Sequence, residues 1–360
     1  MSHPGAALYP LRLTVTAKPL VFGGQAIARR LGKTGIPDWS IAETWECSDV
    51  TGAVGVVAAG PLAGRSLRQV ATDHPRELMG AGWSGQYFPV LTKFIDATGA
   101  LPVHLHADDE TARRLEGERN GKTEAWHILD AAPGATALCG VKRGVSPEQL
   151  RAALRAQDFD AVLRRLPVRA GQTLYVPGGT LHSFGPDTLV YEIEQTSDIQ
   201  QHAMRWHMED GSPVEDAEFD VNLDMLMRQV DLDNRPDFTP GLALTVGDGV
   251  ERVFLCASPY FALERWRAGT AEPLRHSFAT AQILSNVGAP VRVRTGAWEE
   301  EVGRAETLLV PAVCGDIEIT GPADVLFGYL PDLDRDVRAP LLEAGYPPHL
   351  IDSLGQRHGE

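Results

Sequence analysis

Four residues carry donor atoms in an order that suits a divalent cation: His104, His106, Glu124 and His182. His104 and His106 stand two apart, so on a strand both side chains point to one face. Glu124 belongs to the run Thr123-Glu124-Ala125-Trp126-His127-Ile128, which has strand character. Period-two alternation there groups Glu124 with Trp126 and Ile128 and turns His127 to the other face. His182 ends Val176-Pro177-Gly178-Gly179-Thr180-Leu181-His182, which reads as strand, tight turn and return strand. Imidazole and carboxylate together suit a borderline cation, zinc ahead of iron, manganese or cobalt. An all-structural site would more often use cysteine, and three or four ligands of this kind leave a position open for water or substrate.

Each signal is weak alone. An isolated H-x-H pair is more often polar surface, a lone glutamate is more often solvated, and a histidine after P-G-G-T can simply close a turn. The order of the set carries the reading. His127 is read as structural or as a support to the ligands, and His3, His74, His276, His349 and His358 as surface residues. Glu299-Glu300-Glu301 is read as a solvated hairpin, because consecutive strand residues cannot converge on one ion.

The elements that must hold these residues are short strands. In a chain of 360 residues, 36 glycines and 25 prolines are dispersed, which favours many strands and turns over long helices. Strands are expected at Leu11–Val15, Thr44–Ser48, Val54–Val57 and Phe88–Asp96, and short helices at Ser66–Asp73 and His74–Gly80. Asp108-Asp109-Glu110 opens a helix running to Arg119, its acidic residues placed in the first turn. Ser146-Pro147-Glu148 caps a helical segment to Arg165, expected as an insertion between strands. Thr173-Leu174-Tyr175-Val176-Pro177 recurs as Thr307-Leu308-Leu309-Val310-Pro311, which suggests a duplicated β unit. Offsetting His182 by that spacing lands on Asp316, so the second copy is expected to be metal-free. The expected division is 1–244 with its helical insertion at about 146–166, then 245–331, then a partly helical tail at 332–360. The polar, proline-rich stretch 210–245 serves as the joint.

Composition narrows the function. A formal net charge of -15 argues against nucleic acid and anionic membranes as partners, and it obliges any anionic substrate to find a locally basic pocket. The four cysteines, Cys47, Cys139, Cys256 and Cys314, form no C-x-x-C pair. Neither a membrane-length apolar run nor a signal-peptide pattern is present, so a cytoplasmic location is expected.

At these residues the chain resembles the type I, cupin mannose-6-phosphate isomerases in their short bacterial form. The resemblance runs from Pro19 to about Pro331. It rests on Phe22-Gly23-Gly24, AETWECS at 42–48, FPVLTKFIDA at 88–97 and VHLHADDE at 103–110, followed by GKTEAWHILDA at 121–131, VPGGTLHSFG at 176–185 and EIEQTSD at 192–198. The resemblance implies a mainly β fold of two cupin (jelly-roll) barrels with a small helical insertion. It implies a zinc enzyme, one metal per chain, that interconverts an aldose phosphate and a ketose phosphate.

Carried over position by position, the ligands would be His106, Glu124 and His182, with His104 where the family usually has glutamine. Lys122 matches the lysine of G-K-T-E, which points into the substrate pocket. One departure follows Ser197-Asp198, where His202 stands in the place of an active-site arginine. A histidine there can exchange protons near neutral pH but lacks the fixed fork of a guanidinium. Arg205 would point the other way on an extended strand. The partner implied is a sugar or sugar phosphate, and the assembly a monomer or small homo-oligomer. Two further readings stay open: an isomerase or epimerase of another sugar, phosphorylated or unphosphorylated, and a non-catalytic sugar-binding cupin.

Overall fold

All eight residues of the strand Val90–Ala97 are buried, Lys93 among them, which requires a sheet covered on both faces. A computed structural model describes residues 8–247, 249–269 and 273–355, so His3 and His358 lie outside the described residues. Val90–Ala97 pairs antiparallel with Thr188–Gln195 along its whole length, and Thr188–Gln195 pairs in turn with Glu124–Ala131. Glu43–Cys47 and then Thr16–Lys18 extend this sheet on one side, and Thr173–Val176 closes the other, giving six strands.

Five short strands face it, in the order Gln201–His202, His104–Leu105, His182–Phe184, Thr136–Val141 and Leu163–Pro167. Between the two sheets lies a core of Ile95, Trp126, Ile128, Phe184 and Val190 with their neighbours. The second half repeats the plan. Its six-stranded sheet runs Leu242–Val246, Val250–Ala257, Ala262–Ala268, Ala323–Tyr329, Gln282–Asn286 and Thr307–Val310, facing a four-stranded sheet that begins with Leu274–Ser277 and Asp316–Thr320. The recurring T-L-x-V strings form the last strand of each large sheet, so the echo in the sequence marks equivalent elements.

The large sheets pack back to back. Phe94, Tyr191 and Ile193 meet Phe261, Leu263, Ile283 and Leu326 in one cluster. Gly328 sits at the closest approach, where a Cβ would lie 2.8 Å from the Ile193 side chain. Polar ties cross the same plane. Tyr191 Oη lies 3.0 Å from Ser285 Oγ, and Lys33 joins Glu46 at 2.8 Å while donating to the Ala305 carbonyl. His127 faces this plane, away from Glu124, as the alternation predicts. Its Nδ1–H donates to Thr173 Oγ1 at 2.9 Å and its Nε2 accepts from Arg265 at 3.0 Å.

Register shows how the two barrels differ inside. Glu124 lies opposite Val176 and Glu194, and Gln282 lies opposite Val310 and Tyr329, so Gln282 holds the place of Glu124. Lys93 lies opposite Glu192 and Glu264 opposite Phe327, so the buried cation of one barrel is a buried carboxylate in the other. Glu264 is satisfied by Arg252 Nε and Nη2, by Trp266 Nε1 and by the Tyr329 hydroxyl. Asp316 is exposed.

Several expected elements differ. Leu11 and Leu13 make only single bridges, to Leu309 and Val57, and the strand forms at Thr16–Lys18, where pairing with Glu43–Cys47 is continuous. Val54–Val57 likewise makes isolated bridges only. The helical insertion ends at Val162, and Leu163–Pro167 turns into an edge strand. The stretch 210–245 is no plain joint, because Asp216–Gln229 is a helix. Its Phe219, Leu223 and Leu226, on one helical face, pack with Leu150 and Leu154 of the helix Pro147–Ala156. Both cover the outer face of the histidine-bearing sheet, where Leu105 points outward. His276 is not a surface residue, since its ring lies half-buried among Trp266, Phe278 and Phe327. His74 is half-buried and His349 exposed. Among the described residues no helix is long and apolar enough to cross a membrane.

Burial, with Arg265 close by, lowers the pKa of His127 to about 3. Between the ordinary value of 6.5 and about 3 the unfolded chain binds a proton at this position that the native state refuses, so stability falls as pH falls through that window. Each pH unit below 6.5 is expected to remove up to about 1.4 kcal/mol at this position. Chemical denaturation of the wild type and His127→Gln between pH 7 and 5 checks this, with a flatter profile expected for the variant.

Candidate metal centre

The two sheets of the first barrel bring the predicted residues together. His104 is paired across its sheet with His182 on one side and His202 on the other, so three histidines form a row. His106 follows on the same face. Two glycines fix this row against the opposite sheet. A Cβ on Gly178 would lie 2.6 Å from the Asp108 nitrogen, and one on Gly121 would lie 2.4 Å from the Asp108 carbonyl carbon. Both the P-G-G-T turn and the G-K-T-E segment therefore press on the Ala107–Asp108 turn that ends the H-x-H strand. Gly179 adds a 2.6 Å hydrogen bond from its nitrogen to the His106 carbonyl, and Lys122 a 2.9 Å bond from its nitrogen to that of Ala107.

Backbone carbonyls set the tautomer of every ring. His104 Nδ1 donates to Pro102 at 2.8 Å, His106 Nδ1 to Ile199 at 2.7 Å and His182 Nδ1 to Thr180 at 2.8 Å. A carbonyl oxygen can only accept, so each Nδ1 carries its proton, and in the neutral ring each Nε2 presents a lone pair inward. One ligand atom from each of the three histidines lies within 4.8 Å of the others. His104 Nε2 and His182 Nε2 are 3.0 Å apart, and Glu124 lies 3.1 Å from His182 Nε2 and 3.2 Å from His106 Nε2. Four acceptors thus converge; His106 Nε2 has no hydrogen-bond partner, and Glu124 Oε2 meets the Lys122 ammonium at 3.2 Å. A cation at their centre would satisfy all four, so the residues fit a divalent metal.

Protonation agrees with that fit. Burial holds His104 well below its ordinary pKa and brings His106 to about 3, leaving both rings neutral as ligands must be. Burial pushes Glu124 upward, but the Lys122 ammonium and the neighbouring rings overcome it and hold Glu124 well below the usual carboxylate range. Trp126 Nε1 donates to Glu124 Oε1 at 2.8 Å and fixes the carboxylate plane.

A second buried group adjoins the first. Glu124, Glu192 and Glu194 lie within 4.8 Å of one another, with Glu194 directly across from Glu124 in register. Like charges so placed repel, and two ammonium groups sit among them. Lys93 reaches Glu192 at 3.1 Å and Glu194 at 3.0 Å, and Lys122 reaches Glu194 at 3.0 Å and Glu124 at 3.2 Å. Burial opposes charge on Lys122, but these carboxylates raise its pKa above the ordinary lysine value. Lysine, rather than a second metal, fills this carboxylate cluster.

Sequence reasoning missed Lys93, Glu192 and Glu194 as site residues. The signal was present in a lysine inside the apolar run FPVLTKFID and in the E-I-E spacing of EIEQTSD, which puts both glutamates on one face.

The row of histidines borders a cavity of about 370 Å³, lined by Lys122, His104 and His202 among others. The His202 ring stacks on His104 with centroids 5.7 Å apart, and burial lowers its pKa to about 4. Arg205 turns away as expected, bonding Asp216 at 2.7 Å and stacking on Phe219. It does not line the cavity.

No protein-family model matches the chain. The mannose-6-phosphate isomerase of Streptococcus mutans is 28% identical over 318 residues, covering 88% of this chain and 97% of the relative. A crystal structure of mannose 6-phosphate isomerase from Bacillus subtilis superposes with a TM-score of 0.80 at 25% identity, covering 89% of this chain and 100% of that one. A zinc-bound holo mannose 6-phosphate isomerase shares the fold at a TM-score of 0.69 and 13% identity, covering 89% and 99%.

Removing one of four converging acceptors should abolish tight metal binding. A divalent metal at a thousandfold its Kd is expected to stabilise the wild type by about 4 kcal/mol. In His182→Ala that gain should vanish, together with stoichiometric metal after dialysis. A variant that keeps both would remove His182 from the ligand set.

Proposed function

We infer that this chain, similar along most of its length to mannose-6-phosphate isomerases, is a metal-dependent aldose–ketose isomerase interconverting mannose 6-phosphate and fructose 6-phosphate. The convergence of three imidazole nitrogens and one carboxylate beside a cavity carries the reading. We assign His104, His106, Glu124 and His182 as the ligands and zinc as the ion, since nitrogen and carboxylate donors suit it and a protein of the same fold holds zinc. The metal-bearing half is assigned to residues up to about 244, and the repeat after it to a metal-free role.

Isomerisation moves a proton between C1 and C2 through an enediol. A bound divalent cation supplies Lewis acidity that stabilises the oxyanion formed when the proton leaves. Lys122, kept charged by Glu124 and Glu194, is a donor rather than a base, and it orients substrate oxygens. His202 is neutral above about pH 4 and borders the cavity, so it can accept a proton. A positioned acid or base of this kind contributes about 10²–10⁴-fold. Ile95 and Leu101 add apolar surface to the cavity wall.

All four cysteines are unpaired, three of them buried, which suits a reducing cytoplasm. His202 in the arginine's place favours a second reading, a related isomerisation of a different sugar.

Coupled turnover of mannose 6-phosphate by zinc-loaded protein is the test, with activity expected and its loss on chelation. Metal-bound protein that turns over no mannose 6-phosphate would reject the assignment. Lys122→Met should lose about 100-fold or more in kcat while retaining metal. His202→Arg should raise mannose 6-phosphate turnover if the histidine has shifted specificity, and no gain would dismiss that second reading.

A further inference from the structure

A chain of net charge -15 must offset its own field to hold a phosphate. The cavity beside the metal ligands is lined by three cations, Lys18, Lys93 and Lys122, and by no arginine. Two of the three are already neutralised. Lys93 is buried among Glu43, Glu192 and Glu194 at 3.8, 3.1 and 3.0 Å, and Lys122 is held by Glu194 and Glu124. Buried carboxylates already match their charge, so neither brings uncompensated positive charge to a phosphate. Asp198 and Glu209 add negative charge to the wall.

Lys18 differs from both. It ends the edge strand Thr16–Lys18, half-buried beside exposed Pro19, and makes no ion pair with any described residue. Its ammonium lies 4.6 Å from the centroid of the Trp45 ring, whose Nε1 is tied to Glu43 at 2.7 Å. An aromatic face orients an ammonium without cancelling its charge or occupying all of its donors. Lys18 is therefore fixed at the cavity and still free to bind an anion.

We propose that Lys18 anchors the substrate's phosphate, and that the preference of this enzyme for a phosphorylated over a free sugar rests on that one side chain. The proposal rests on the isomerase reading and names the residue that recognises the phosphate.

The test is kcat/KM for mannose 6-phosphate and for mannose on the zinc-loaded full chain, with Lys18→Met and Lys18→Arg beside it. One charge-assisted contact predicts a parent preference for the phosphorylated sugar of about 10- to 100-fold. Lys18→Met should collapse most of that preference through KM, and Lys18→Arg should retain it. A preference unchanged in Lys18→Met overturns the proposal, including the case where a folding defect lowers both sugars together. A parent preference above about 10⁴-fold also overturns it, because one ammonium cannot supply that much. Turnover of neither sugar by the parent would instead reject the isomerase reading, so the two failures are distinct.

Discussion

Two ring nitrogens, His104 Nε2 and His182 Nε2, face each other 3.0 Å apart, and in the neutral rings both are acceptors because backbone carbonyls hold the protons on Nδ1. Buried acceptors opposed in this way repel, and the Glu124 carboxylate beside them adds a negative charge. Only a cation relieves the arrangement. Much of the first barrel serves to maintain it. The Gly178 and Gly121 contacts press both sheets onto one turn, Trp126 fixes the carboxylate, and the helices Pro147–Ala156 and Asp216–Gln229 cover the outer face of the histidine strands.

The duplicated architecture shows how local the chemistry is. Both halves share strand order and register, yet Gln282 stands for Glu124, Tyr329 for Glu194 and Phe327 for Glu192. The acidic interior of one barrel has become a neutral, aromatic interior in the other, with a single buried Glu264 satisfied by Arg252, Trp266 and Tyr329. The second barrel contributes a wall for the large sheet behind the site, through Phe261, Leu263 and Leu326. With that backing every residue of Val90–Ala97 and Thr188–Gln195 is buried, Lys93, Glu192 and Glu194 included.

Much of the candidate site was legible in sequence because strand geometry is simple. A spacing of two keeps His104 and His106 on one face, and alternation correctly separates Glu124 from His127. The T-L-x-V echo marked equivalent strands. What stayed hidden depends on partners far along the chain. Leu11 and Leu13 look like strand residues, but continuous pairing was available only to Thr16–Lys18. Phe219, Leu223 and Leu226 do carry helical spacing, which the surrounding acidic and proline-rich composition masked. Lys93 among apolar neighbours reads as core or as an interruption until Glu192 and Glu194 are placed across from it.

X-ray absorption at the zinc edge, on the reconstituted full-length protein, tests the central claim most directly. Three inward Nε2 atoms and one carboxylate predict a first shell with three imidazoles and oxygen, nitrogen distances about 2.0–2.1 Å, and no sulfur. A shell with fewer than three imidazoles, or one containing sulfur, would contradict the account.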